Sequence, residues 1–414
     1  MQELDFPYDA ELNNPAFYTT DQYHEAFRWL RRHDPVHWTR GSNGWDFWSV
    51  TRHEDCLTVL RHPELYSSAQ GVMLPYLPAD QERTPEQVGA GLSVLMSDPP
   101  RHREMRRLIF EWFRPQRINA LEPAVRRMSR EIVDAVAPRG QCDLVNDVAG
   151  RLPAAMVCQI MGVPPADWPY MRKLVDRLVG SPDPEFQAEG PPDAPVRETL
   201  QYFAGLVRER RGRPINDLVG ALANGAIEGR ALSDPEVLFN CYIVLGGGLE
   251  TTRNAISGGV LALLQHPQQL AELTENPALM PIAVEEILRW TSPANYFARV
   301  AVGDSELGGK RIKRGERVVV WFTSANRDED VFAEPFRFDI KRTPNDHLAF
   351  GHGEHFCLGA RLARLETRVM IEEILRGLPD LQVAGKVERM PAVVVSVIKR
   401  MPVRFSPVSQ SRSE

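Results

Sequence analysis

The stretch Phe350-Gly351-His352-Gly353-Glu354-His355-Phe356-Cys357-Leu358-Gly359 decides how the rest of this chain is read. Three glycines surround one cysteine. Glycine admits backbone angles closed to other residues and lets a chain approach a flat ligand closely. A run of helix formers, Ala360-Arg361-Leu362-Ala363-Arg364-Leu365-Glu366, follows at once. Cys357 is therefore predicted at a helix N-terminus, where free N–H groups and the helix dipole favour a thiolate over a thiol. A lone cysteine beside a glycine-rich turn is more often a buried structural residue, so the stretch has to be weighed with the rest of the sequence.

Upstream, the pattern from Asp234 to His266 predicts one long helix. Ser233 and Glu236 form a capping box, and Pro235 is tolerated in the first turn. Its middle reads Leu245-Gly246-Gly247-Gly248-Leu249-Glu250-Thr251-Thr252. Mid-helix glycine costs about 1 kcal/mol relative to alanine. An apposed flat macrocycle would offset that cost, because only glycine leaves room for it against a helix. A kink there would free carbonyls, and a threonine hydroxyl can bond back into the turn. The alternative is that Gly246 to Gly248 end one helix before another starts, with Glu250 a solvated charge.

Composition bounds the possibilities. A chain of 414 residues exceeds the usual single-domain size and either splits or forms one large enzyme fold. Hydrophobic content of 43% and charged content of 25% are those of a soluble globular protein. The formal net charge of −6 argues against a general nucleic-acid or membrane-surface binder. No run of eighteen apolar residues is present, and the N-terminus lacks a signal-peptide pattern. Five scattered cysteines without a CxxC pair form neither a disulfide framework nor a zinc site, so a reducing cytoplasm is expected.

Along the chain, Pro35 to Trp38 and Asp46 to Val50 read as two short strands around a Gly41–Gly44 turn. Residues 67–97 read as a long loop, and residues 180–195 as a surface loop or, more sharply, a lid. Between Pro99 and about Leu273 the pattern is mostly helical. Strands are expected at 299–302, 310–312, 317–322 and 392–405, with a helix from beyond Cys357 to about Leu378. The expected class is α+β, predominantly helical, with a smaller β region near 35–65, 299–325 and 380–405.

The cysteine stretch resembles the haem-binding loop of the cytochrome P450 family, Phe-x-x-Gly-x-[Arg/His]-x-Cys-x-Gly, at every fixed position: Phe350, Gly353, His355, Cys357 and Gly359. The resemblance implies one P450 domain over 1–414, haem b as cofactor, Cys357 as iron ligand, and Gly351 and Gly359 beside the haem. The long helix is similar to the family's Ala/Gly-Gly-x-Asp/Glu-Thr segment, which implies that Gly247 and Gly248 flank an oxygen groove and that Glu250 and Thr251 relay protons. Asp98-Pro99-Pro100-Arg101-His102 opens a helix, with Asp98 a plausible N-cap and Pro99 in first position. On it His102 and Arg106 share a face. They match the family's His-x-x-x-Arg pair and, with Arg299 and His355, are implied contacts of the haem propionates. Glu286 and Arg289, completed by Arg337, resemble the family's buried ion-pair network, structural in role.

The implied reaction uses dioxygen to hydroxylate or epoxidise a small apolar molecule. No Rossmann fingerprint or flavin-binding extension is present, so electrons are expected from a ferredoxin and its reductase. Arg103, Arg107, Arg114, Arg361 and Arg364 are the candidate basic face for that partner. Pocket candidates by match to the family are the loop from Val72 through Leu74 to Tyr76, the helix positions Asn240, Ile243, Val244 and Gly247, the segment Ala294 to Phe297 with Asn295 and Tyr296, and Val394 to Val397 with Val395. A monomer working in secondary metabolism is the preferred expectation, with a sterol or lipid hydroxylase as the alternative. A haem-binding sensor or carrier, or a peroxide-driven peroxygenase, would have no need of the Glu250–Thr251 pair.

Overall fold

Alternation along Arg317-Val318-Val319-Val320-Trp321 shows how the sheet is used. Successive side chains of a strand point to opposite faces. Val318 and Val320 enter one apolar cluster with Val36, Val50 and Phe322, while Val319 and Trp321 enter another with Phe27, Phe47 and Tyr296. The strand is thus covered on both faces, which explains its unbroken apolar run.

The computed structural model describes residues 6–74, 89–180, 182–186 and 193–408. Its main sheet has the order Val36–Thr39, Phe47–Val50, Arg317–Trp321, Tyr296–Ala301, Tyr66–Ser67. The first pair is antiparallel with Val36 opposite Val50, and Phe47–Val50 runs parallel to Arg317–Trp321. Tyr296–Ala301 is antiparallel to Arg317–Trp321, with Arg299 opposite Val318. A smaller sheet pairs Pro402–Arg404 with Gln382–Val383 and with Gln141–Asp143. That last strand lies inside the region read as helical. Its partner is more than 250 residues away, so no local pattern announces it.

Apart from three two-stranded ribbons, the regular structure of the remaining described residues is helical, as expected. The helix Asp234–Gln265 runs unbroken through its glycines. Its capping box is present, with Ser233 N donating to Glu236 Oε2 at 2.7 Å. It runs through the largest apolar cluster, beside helices Arg151–Met161, Ala194–Arg210, Met280–Thr291 and Ala360–Gly377. Its glycines serve two purposes. A methyl group on Gly248 would come within 2.9 Å of Val157, and one on Gly259 within 2.6 Å of Ile287, so these positions let neighbouring helices approach. A methyl group on Gly247 would meet nothing within 4 Å among the described residues.

Two sequence expectations are corrected here. The helix expected to open at Pro99 begins at Arg101, and Asp98 does not cap it. The Asp98 carboxylate instead accepts from Ser67 Oγ at 2.5 Å and Ser68 N at 2.8 Å, tying the helix entry to the sheet edge. The tail expected as one strand forms two, Ile398–Arg400 and Pro402–Arg404, while Val395 makes only an isolated bridge to Ala294. Residues 75–88 of the expected loop and residues 181 and 187–192 of the expected lid fall outside the described residues.

Candidate active site

The cysteine loop is shaped by two glycines in the left-handed region, Gly351 at φ 68° and Gly353 at φ 70°. A methyl group on Gly353 would lie 2.6 Å from the Leu60 carbonyl oxygen, so only glycine fits there. The turn Gly353–His355 follows, and Cys357 N donates to Phe350 O at 2.9 Å, closing the loop just ahead of helix Ala360–Gly377. Cys357 lines a large interior cavity. Burial pushes its thiol up, against the pull of the Gly359 and Ala360 N–H groups and the Arg106 and Arg364 guanidinium groups. The Gly359 and Ala360 N–H groups at the helix start thus act on the thiol in the expected direction, and Cys357 itself opens onto the cavity. A bound metal cation is what deprotonates a thiol in such a place.

At the cavity's edge the four residues expected there come together. His102 and His355 lie ring to ring with centroids 4.1 Å apart, and both line the cavity with Arg106 and Arg299. Arg106 Nη2 donates to Phe356 O at 2.7 Å, and Arg299 Nη1 to Ala298 O at 2.8 Å. Burial lowers His102 to about 4, helped by Arg106. Burial and then Arg299 lower His355 to about 2. Burial takes Arg299 itself down to about 10. Among the described residues both His102 ring nitrogens and His355 Nε2 are buried without a hydrogen-bond partner. Buried donors beside two guanidinium groups are short of anionic partners, and the carboxylates of a haem fit that need.

The long helix supplies another wall. Gly247, Glu250 and Thr251 line the cavity, and Thr251 Oγ1 donates back to Gly247 O at 2.8 Å. Glu250 is buried, not solvated. Its Oε1 accepts from Arg253 and, at 3.2 Å, from Asn254 Nδ2, while Oε2 has no partner among the described residues. Burial raises its carboxyl, with Arg253 opposing. Apart from these groups the lining is mainly apolar.

Of the pocket candidates, Ile243, Val244, Phe297 and Val395 line the cavity. Val72, Leu74, Asn240, Asn295 and Tyr296 do not, and each has another task. Tyr296 neighbours Phe297 on one strand and so points to the opposite face, where its hydroxyl accepts from Leu74 N at 2.9 Å. Val72 O accepts from Ala298 N. Asn295 Nδ2 donates to Val393 O, and Asn240 bridges Val94 N, Leu92 O and Glu236 O. These amides are engaged with backbone and, for Asn295, with the Ser396 hydroxyl as well. Met73 and Ala294, within the expected segments, also line the cavity, while sequence reading missed Tyr242 and the pair Leu178 and Val179, which end helix Trp168–Val179 without any motif.

The structural network is also corrected. Glu286 and Arg289 pair as expected, at 2.7 and 2.8 Å, both fully buried. The third member is Arg342, whose Nε donates to Glu286 Oε2 at 3.1 Å. Arg337 is 57% exposed and pairs with Glu334; only its carbonyl joins the cluster, accepting from Arg342. The residues after Pro335 turn back, so the chain presents its backbone there and returns a side chain five residues later.

Of the expected basic face, Arg107 is exposed and Arg361 donates to Asn119 Oδ1 at 3.0 Å. Arg103, Arg114 and Arg364 pair with Glu354, Glu111 and Glu285, which reduces the charge available to a partner.

Comparison with known proteins agrees with this geometry. The cytochrome P450 family model matches residues 207–379. A steroid C26-monooxygenase of Mycolicibacterium smegmatis is 37% identical, over 96% of each chain. A Mycobacterium marinum cytochrome P450 solved with pseudoionone superposes with a TM-score of 0.87 at 36% identity, covering 94% of this chain and 97% of that one. OxyD, a P450 involved in the biosynthesis of vancomycin-type antibiotics, gives a TM-score of 0.85 at 34% identity, covering 96% and 99%. Full-length identity at this level, on a cavity lined by a thiol and rimmed by unpaired donors, means that the chain belongs to the cytochrome P450 family of haem-dependent monooxygenases.

Proposed function

We propose that Cys357 would hold the haem iron through its thiolate and that the enzyme hydroxylates or epoxidises a mainly apolar small molecule with electrons from a ferredoxin and its reductase. When bound, haem supplies reductive activation of dioxygen and insertion of one oxygen atom into a C–H or C=C bond. The observation that carries the reading is the shared cavity: Cys357, the His102–His355–Arg299 edge and the Gly247–Glu250–Thr251 wall all line it.

In this reading His102, Arg106, Arg299 and His355 hold the propionates, and Gly247 leaves space at the reacting face. Thr251 places a hydroxyl at that face, anchored to Gly247 O, and Glu250 is the acid that resupplies its proton. The apolar side chains Ile243, Val244, Phe297 and Val395 bind substrate and exclude water. Glu286, Arg289 and Arg342 fix the segment that precedes the cysteine loop. One domain over 1–414, acting as a monomer in the cytoplasm, belongs to the same reading. Among the described residues no helix is long and apolar enough to cross a membrane.

For substrate, the lining suits a terpenoid, steroid, fatty acyl or polyketide skeleton. Similarity to OxyD favours a tailoring step in secondary metabolism, and similarity to the steroid C26-monooxygenase favours a sterol or lipid hydroxylase as the second reading. A ferredoxin would dock where Arg107 and Arg361 are exposed.

Spectroscopy tests the central claim. The reduced carbonyl complex of the haem protein should show the strongly red-shifted absorbance of thiolate ligation, and Cys357→Ser should lose it. An unshifted wild-type complex overturns the assignment.

A further inference from the structure

His102, Arg106, Arg299 and His355 rim the cavity at one edge, and Glu250 and Thr251 stand on its reacting wall. Tyr242 lines the same cavity and belongs to neither group. It is half-buried on helix Asp234–Gln265, immediately before the cavity-lining Ile243 and Val244. Its ring stands edge-on to Phe239, with centroids 6.5 Å apart and planes at 85°. Tyr242 and Gly246 are four apart and share a helix face. A methyl group on Gly246 would meet only Leu178 Cδ2, at 4.0 Å, and one on Gly247 nothing within 4 Å, among the described residues. The cavity therefore runs along this helix from Gly247 back past Gly246 to the phenol. The helical rise puts Tyr242 roughly 8 Å from Gly247 along the axis. Helical side chains lean towards the N-terminus, which takes the hydroxyl to on the order of 10 Å.

Leu178, Val179, Phe297, Val394 and Val395 give the cavity apolar walls. A hydrogen bond formed among such walls is stronger than one in water, and a polar group left unmatched there is costly. A phenol hydroxyl has one hydrogen to give and lone pairs to accept with, so it can take a ligand's oxygen while bonded elsewhere. The guanidinium groups among the described lining residues, Arg106 and Arg299, belong to the edge. A carboxylate at Tyr242 would therefore lie without a lining guanidinium of its own, which an ionised acid cannot bear in apolar surroundings. A neutral ketone or alcohol oxygen suits the place.

Resting on the function proposed above, we infer that Tyr242 determines substrate specificity. Its hydroxyl holds the ketone or alcohol oxygen of an otherwise apolar substrate, and so directs oxidation to a carbon on the order of 10 Å from that oxygen. The substrate class is thereby narrowed to an oxygenated terpenoid or steroid skeleton long enough to reach from Tyr242 to Gly247. A plain hydrocarbon would leave the phenol unmatched, and a free fatty acid would bury its charge. With its oxygen bound, the skeleton lies along Ile243 and Gly246 and presents its far end to the wall that carries Thr251. Tyr242 touches substrate but no reacting atom. It acts by orientation, because a fixed anchor at one end fixes which carbon sits at the other.

A set of molecular rulers tests this. N-Alkylimidazoles bind haem iron at one end and carry a chain of chosen length, ending either in a methyl or in a hydroxyl group. Their affinities are read from the absorbance of the haem protein. In the wild type the hydroxyl-ended compound should bind about fivefold more tightly than its methyl-ended partner at one chain length, and more weakly at shorter ones. Tyr242→Phe keeps the ring against Phe239 and removes only the hydroxyl. It should abolish that preference while methyl-ended affinities stay within about twofold. Hydroxyl-ended compounds that bind more weakly at every length in the wild type overturn the inference, as does a preference that survives in Tyr242→Phe. If no alkylimidazole moves the haem absorbance, the haem reading itself falls and the inference with it.

Discussion

Arg342 Nε donates to Glu286 Oε2 at 3.1 Å, closing a buried cluster in which Arg289 already grips both oxygens of the same carboxylate. Asp339 N at 2.9 Å completes the acceptor's shell. A buried charge left without its partner is strongly destabilising. Arg289→Leu should therefore cost about 3–5 kcal/mol in urea unfolding. Arg342→Ala should cost less, because Arg289 remains. Arg337→Ala should stay within about 0.5 kcal/mol, as expected for an exposed pair. Equal losses for Arg337 and Arg342 would contradict the observed network.

Thr251 presents its hydroxyl to the cavity and anchors it on Gly247 O. Thr251→Ala should leave substrate affinity nearly unchanged while diverting electrons to peroxide, read as peroxide released per NADH consumed. Thr251→Ser, which keeps the hydroxyl, should restore most of the coupling. Full coupling in the alanine variant would remove Thr251 from proton delivery.

Glycine substitutions should separate space from strain. At Gly247 a methyl group meets no atom of the described residues within 4 Å, so Gly247→Ala should stabilise the helix by about 1 kcal/mol and weaken binding of a bulky azole by filling the cavity. At Gly353 the backbone is left-handed and a methyl group meets Leu60 O at 2.6 Å, so Gly353→Ala should destabilise by about 2 kcal/mol. Thermal unfolding and azole titration of both variants check the pair.

Acid should loosen the cysteine loop through Glu285. Burial pushes its carboxyl up, but hydrogen bonds from Arg364, at 2.7 and 2.8 Å, and His347, at 3.1 Å, hold it down to about 2. Arg364 in turn lies 4.4 Å from the centre of the Phe350 ring. A folded-state pKa depressed below the ordinary value of 4.5 contributes stability above that value, which is lost as pH falls towards 2. Glu285→Gln should lower the melting temperature at neutral pH, and the gap to wild type should narrow as pH falls below 4.5 and close towards pH 2. A gap independent of pH would reject the linkage.

Much of this was legible because the chemistry is local. The cysteine loop, the long helix with its capping box, and the short strands around Gly41–Gly44 all appear where spacing and turn residues put them. Errors arose where the answer depended on direction. Tyr296 and Phe297 are adjacent, and only the pairing of Tyr296–Ala301 with Arg317–Trp321 decides which of them faces the cavity. Arg337 and Arg342 flank one turn, and only its path decides which reaches Glu286.

By itself, the sequence determined the helical class, the cysteine loop and the acid–alcohol pair, because each rests on residues within one or two turns of one another. Tertiary structure alone decided that Cys357 opens onto a shared cavity, that Glu250 is buried against Arg253, and that Leu178 and Val179 line the same cavity. Desolvation and pairing across distant segments are sums over everything that surrounds a group in space, and linear order does not carry that neighbourhood.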